Sequence, residues 1–293
     1  MKKFFALTLA LVLTLSLAAC GSAQQSSEPE SASGSASESP SASSESSEST
    51  SGMTVLKVGA TPAPHAEILE FVKDKLAAEG IDLQIIEFTD YVLPNEALVA
   101  GEIDANYFQH QPYLDTYNKE HGTDIVAAAS IHYEPLGIYP GRTATLDAIA
   151  DGAEIAIPND GSNEARALYL LESLGLITVD DSAGFNATVL NIKDNPKNLK
   201  ITETAAEQIP LILPDVDFGI INGNYAISAG IADKVLATEA ADSESATTYA
   251  NIIAVMPGHE SDPAIVALIN ALKSDDVKQF ITDKYGISVV PMF

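Results

Sequence analysis

The chain has 293 residues, with 41 acids against 15 bases and a formal net charge of −26. Such an acid excess excludes nucleic acid, and anionic lipid headgroups held by charge, as partners. A single cysteine excludes a disulfide framework, so the folded part depends on an ordinary hydrophobic core.

The first segment, "MKKFFALTLALVLTLSLAAC", sets two lysines before sixteen uncharged residues, Phe4 to Ala19. That is the build of a secretory signal peptide over 1–19 rather than of a membrane-spanning helix. Cys20 follows two alanines, as in the cleavage box of bacterial lipoproteins, and is expected to become the lipidated first residue of the mature chain. A chance cysteine after an apolar run is the bland reading. Residues 20–52 form a tether: fifteen serines among the 32 residues after Cys20 leave nothing to bury, and the segment is expected to be disordered. Removing five tether glutamates and two leader lysines leaves 36 acids against 13 bases in 53–293, with only Arg142 and Arg166 as arginines.

Within that region, β-rich runs alternate with helical patterns. "TVLKVGA" reads as a strand, and "HAEILEFVKDKLAAEG" as a helix with Ile68, Leu69, Val72 and Leu76 on one face and Gly80 as its stop. "IDLQIIEF" is a second strand, "LPNEALVAG" a short helix and "IDANYF" a third strand. The alternation continues through "EIAIP", "ARALYLLESLG", "ATVLNI", "VDFGIING" and "NIIAVMP", and ends on the helices "PAIVALINALKS" and "DVKQFITDKYG". This is an α/β chain. Its length predicts two lobes, the first from 53–139 and 246–293, the second from 140–245, with a ligand cleft between them.

Four segments at strand ends carry the chemistry. "NDGSNEAR" offers N-cap residues, including Asn163, so helix-terminal N–H groups and Arg166 could together grip a carboxylate; a surface arginine paired to Glu164 or another nearby acid is the alternative. "INGNYA" offers the amides Asn222 and Asn224 for an ammonium and a carboxylate oxygen, or an Asn that simply caps a helix. In "ANYFQHQPYLD", Phe108 and His110 share a strand face opposite Tyr107 and suit a thioether, whereas Tyr113 and Leu114 belong to the next helix. Tyr91, His132 and Tyr133 would complete the wall. The histidines lack metal-binding spacings, and neither a metal nor another cofactor is expected.

The strings "DYVLPNEAL", "GEIDANYFQHQPYLD", "HYEPLGIY", "IPNDGSNEARAL", "NPKNLKI" and "INGNYA" stand in family order, and from Leu56 to Ile287 the chain resembles the NlpA/MetQ family of lipoprotein substrate-binding proteins. The resemblance implies a type II-like, two-lobed periplasmic-binding-protein fold without catalysis. It also implies lipid (palmitate) anchoring on Cys20 at the outer face of the cytoplasmic membrane, and delivery of methionine, L-methionine first, by a monomer to an ABC permease with a cytoplasmic ATPase. Arg166 matches the family's carboxylate-binding arginine, Asn222 and Asn224 its asparagines, and Tyr91, Phe108 and His110 its side-chain pocket; Tyr133 and Asn163 are added as ligand contacts. D-methionine, a derivative, another amino acid, a short peptide or a metal ion remain as alternative ligands. An extracytoplasmic enzyme using His110 or His132, and an adhesin, remain as alternative classes.

Overall fold

A computed structural model describes residues 52–239 and 247–293. The leader, Cys20, nearly all of the tether and residues 240–246 lie outside the described residues. Among the described residues no helix is long and apolar enough to cross a membrane.

The first lobe is wound from β1 (Thr54–Ala60), α1 (Glu67–Ala78), β2 (Ile81–Glu87), α2 (Leu93–Val99), β3 (Ala105–His110), α3 (Gln111–His121) and β4 (Val126–Tyr133). The helices α1 and α2 carry the chain back across the sheet, so β2 and β3 both pair parallel to β1. The apolar stripe of α1, Ile68, Leu69, Val72 and Leu76, is buried as its 3.6-residue period requires. Gly80, with φ of 80°, turns the chain directly into β2.

The second lobe holds β5 (Gly137–Pro140), β6 (Glu154–Pro158), α4 (Gly161–Ser173), the small hairpin of β7 (Thr178–Val179) and β8 (Ile192–Asp194), β9 (Lys200–Thr204), α5 (Ile209–Ile212), β10 (Phe218–Ile221), α6 (Gly223–Ser228) and β11 (Ala237–Thr238). The chain then returns through β12 (Ala250–Val255), α7 (Pro263–Leu272), α8 (Asp275–Tyr285) and β13 (Val290–Pro291). Two main sheets result, ordered β13-β4-β12-β3-β1-β2 and β11-β5-β10-β6-β9. This is the two-lobed α/β fold expected, each lobe with its own core: Val58, Leu69, Tyr107 and Ile253 in one, Ile155, Leu168 and Phe218 in the other.

Two expectations shift. β5 already pairs with β10 and β11, so the chain leaves the first sheet between Tyr133 and Gly137, ahead of 139/140. Pro135 in that gap has no N–H for a ladder, which is why "IHYEPLGIY" is two strands rather than one. "ATVLNI" forms a 3₁₀ turn at Val189–Asn191 and only then a short strand, because Asn191 Oδ1 accepts from the Thr188 N–H at 2.9 Å and holds the backbone in a cap. The expected return at 245/246 lies outside the described residues.

Candidate functional site

The start of α4 shows how local capping and a distant acid shape the site. Asp160 is the N-cap, and its Oδ1 accepts from the Asn163 N–H at 3.0 Å. A resident carboxylate therefore already occupies the helix terminus that "NDGSNEAR" suggested for a ligand anion. Arg166, one turn further on, is only 4% exposed, so it is no surface residue. Its partner is not Glu164, which accepts from the Val189 N–H, but Glu239, whose carboxylate receives Nε at 2.8 Å and also a very close Nη2. Nη2 also donates to the Glu134 carbonyl at 2.7 Å, and the guanidinium lies 4.4 Å from the Tyr249 ring centroid. Burial opposes the charge on Glu239, but attraction to Arg166 and hydrogen bonds from Arg166, Leu136 and Tyr133 outweigh it and hold the carboxyl below its ordinary range.

Tyr133 is placed by this pair rather than by a ligand. Its hydroxyl donates to Glu239 at 2.5 Å, behind Arg166, and it does not line the cavity between the lobes. That cavity is lined by Tyr91, Phe108, His110, Asn163, Arg166, Asn222 and Asn224 of the expected set. Tyr113, Gln109, Glu134, Gly223 and Asn251 also line it and were missed. Glu134 left a signal in the sequence, an acid between a strand end and a proline; Asn251 left a fainter one, a lone amide inside "ANIIAV".

The apolar wall follows from strand alternation. Every residue of β3 is buried, but Tyr107 joins the core of the first lobe while Phe108 packs with Tyr113 and Tyr91. The Tyr91 and Phe108 ring centroids are 5.8 Å apart, and those of Tyr91 and Tyr113 are 5.7 Å apart, so three clustered rings line the cavity. Such ring edges favour a soft, polarisable group.

Polar bonds then join the lobes. Asn163 accepts at Oδ1 from His110 Nε2 at 3.1 Å and from Asn222 Nδ2 at 2.9 Å, and gives its own Nδ2 to Asp160, so it is a clasp with its polar atoms engaged. Tyr91 donates to Asn224 Oδ1 at 2.6 Å. Asn222 is indeed the N-cap residue of α6, but its side chain makes no capping bond. This leaves Asn222 Oδ1 and Asn224 Nδ2 buried without partners, a free acceptor and a free donor among residues that line the cavity.

A second titratable cluster stands behind the cavity. His65 Nε2, His132 Nε2 and Glu134 bring three donor atoms within 4.8 Å of one another, a metal-like grouping that spacing in sequence did not reveal. Every ring nitrogen is hydrogen-bonded: His132 to Tyr107 and Glu134, His65 to Thr61 and Asn251. His132 is fully buried and does not reach the cavity, contrary to its expected place in the wall.

His110 gives a pH signature. Burial, helped by the Arg166 charge, lowers its pKa to about 3 from 6.5, so the unfolded chain binds a proton that the folded chain refuses between those values. His110 therefore costs stability as pH falls from 6.5 toward 3. His110→Asn keeps an acceptor for the Tyr113 N–H, now supplied by His110 Nδ1 at 3.2 Å. The substitution should flatten the dependence of unfolding free energy on pH in that window by about 1.4 kcal/mol per pH unit, measured by urea unfolding at several pH values. An unchanged slope would mean that the folded protein protonates His110 freely.

Two α/β lobes closing on a cavity lined from both sides, with unpaired polar atoms inside, define a substrate-binding protein of the periplasmic-binding class. The chain belongs to the NlpA lipoprotein family, whose sequence model matches residues 56–293. It is 38% identical over 226 residues to the D-methionine-binding lipoprotein MetQ of Escherichia coli K12, an alignment covering 76% of this chain and 82% of that protein. A nutrient-binding protein from Burkholderia cenocepacia, solved bound to methionine, superposes with a TM-score of 0.77 at 42% identity, covering 81% of this chain and all of that one. The substrate-binding protein of a methionine transporter from Streptococcus pneumoniae superposes at 0.76 with 37% identity, covering 82% of this chain and 96% of that one. All three relatives are described as binding proteins, the last of them as that of a methionine transporter.

Proposed function

We propose that the protein is the extracytoplasmic binding component of an ABC importer, that it is anchored by lipid on Cys20, and that it takes L-methionine. The observation that carries this is the pair of unpaired atoms, Asn222 Oδ1 and Asn224 Nδ2, in a cavity lined also by Arg166 and by the rings of Tyr91, Phe108 and Tyr113. A free acceptor suits an ammonium and a free donor suits a carboxylate oxygen. An α-amino acid satisfies both while its side chain lies among the rings, and a thioether gains most there.

No role in catalysis is assigned. Burial holds both His110 and His132 at a pKa of about 3, too low for a general acid or base near neutral pH. Delivery to a permease follows from the class, and the relatives described as methionine-binding support the ligand.

Isothermal titration with L- and D-methionine tests the reading. L-methionine should bind one to one, and Asn224→Asp should weaken it by about 2 kcal/mol. That substitution keeps the acceptor for the Tyr91 hydroxyl but sets an oxygen where Nδ2 faces the ligand carboxylate. Binding of a dipeptide with no heat from either methionine isomer would overturn the substrate.

A further inference from the structure

Glu134 is 5% exposed and lines the cavity, yet the family strings and the helix-cap logic give it no role. It directly follows β4 at the first crossing between lobes, and one face of its carboxylate is fixed. Oε1 is 2.8 Å from His132 Nε2 and 3.4 Å from His65 Nε2. With the Tyr107 and Thr61 hydroxyls assigned as donors to the two Nδ1 atoms, both rings carry their proton on Nε2; His132 gives it to Glu134 Oε1, and His65 gives it to Asn251 Oδ1 at 3.0 Å. Both rings are neutral, because burial lowers His65 to about 4 and His132 to about 3. Arg166, the nearest guanidinium, reaches only the Glu134 backbone carbonyl, and its own counter-ion is Glu239.

The other oxygen faces a space kept open by a glycine. A Cβ on Gly223 would lie 2.8 Å from Glu134 Oε2 and 2.8 Å from Glu134 Cβ, so only glycine leaves the carboxylate its place. Gly223 directly follows Asn222, whose Oδ1 is the buried acceptor without a partner. No side-chain hydrogen bond to Oε2 is found among the described residues, and the carboxyl group also accepts from the Asn224 backbone N–H. The site thus presents two acceptors, one of them a carboxylate, with no resident cation bonded to either.

We propose that the Glu134 carboxylate, held by His132 and joined by Asn222 Oδ1, is the counter-charge for the α-ammonium of the ligand and makes the site select a free amino group. This rests on the reading of the cavity as an α-amino-acid site. Burial raises the Glu134 pKa, so its charge is costly while no cation answers it, and with the Arg166–Glu239 pair already neutral a ligand bringing only a carboxylate adds none. A zwitterion brings that cation, and its ammonium can donate to Glu134 and Asn222 together.

The test is a cycle of two proteins and two ligands, using the full-length chain: wild type and Glu134→Gln, each titrated with L-methionine and with 4-(methylsulfanyl)butanoate, which has the same carboxylate and thioether but no amine. Wild type should bind methionine at least about 100-fold more tightly than the deaminated acid, and Glu134→Gln should lose about 100-fold for methionine while holding the deaminated acid as well as wild type does or better. Equal losses for both ligands would make Glu134 a merely structural residue and overturn the proposal, as would unchanged methionine binding. Failure of wild type to bind methionine at all would instead bring down the amino-acid reading itself. Gly223→Ala serves as a second variant, since it crowds Oε2 without changing charge; it too should lower the preference for methionine over the deaminated acid, and an intact preference counts against the proposal.

Discussion

Arg166→Ala is expected to abolish methionine binding and to lower unfolding free energy by about 3–5 kcal/mol, the usual cost of leaving a buried charge unpaired. The second effect comes from Glu239. Its carboxylate holds the Arg166 guanidinium, the Tyr133 hydroxyl and the Leu136 N–H at once. Tyr133 and Leu136 flank the outgoing crossing between the lobes, so Arg166 is tied through Glu239 to both sides of that crossing. A double variant separates the two effects: Arg166→Ala with Glu239→Gln removes the stranded charge while keeping an acceptor for Tyr133 and Leu136. It should regain most of the stability and none of the binding, read from urea midpoints at constant m-value and from titration with methionine. Equal stability of the single and double variants would show that the loss arises from packing of the guanidinium against Tyr249, which lies 4.4 Å from it, rather than from the unpaired acid.

The sequence made the cavity wall legible because a strand alternates faces by geometry: Phe108 and Tyr107 had to part, and they do, into different cores. Arg166 stood out as one of two arginines in a chain of acids, and the amides of "INGNYA" stood out after an apolar strand. The partner of Arg166 was not legible. Glu239 is 73 residues away along the chain and is one of 41 acids, so nothing local distinguishes it. Asn163 and Tyr133 show a different limit: both stand where a ligand contact was expected, but their polar atoms are taken by other side chains, and only the folded chain reveals those partners. The buried His65–Glu134–His132 cluster is likewise assembled across the lobe from distant positions, so no spacing rule could find it.

Gly141→Ala is expected to lower stability by about 3 kcal/mol and to weaken ligand binding from a distance. Gly141 follows β5, and a Cβ there would lie 2.3 Å from the Val216 carbonyl oxygen and 2.4 Å from that of Leu213. Those atoms are backbone and cannot turn aside as a side chain end can. The neighbouring bonds, Gly141 N–H to the Asp217 carbonyl at 2.9 Å and Arg142 N–H to that of Val216 at 2.8 Å, tie the same segment to β5. Relief requires moving residues 213–217, which lead into β10, and β10 runs directly to Asn222 and Asn224. Hydrogen exchange should therefore quicken in β10 and β6 while β1 and β3 in the other lobe stay protected. Gly152→Ala is the control: its φ of 75° imposes a conformational cost of about 1–2 kcal/mol, but no atom lies within 4 Å of the added methyl. If both variants lose the same stability and both keep wild-type affinity, the close approach of backbone at Gly141 does not govern the second lobe, and the link from β5 through β10 to the site fails with it.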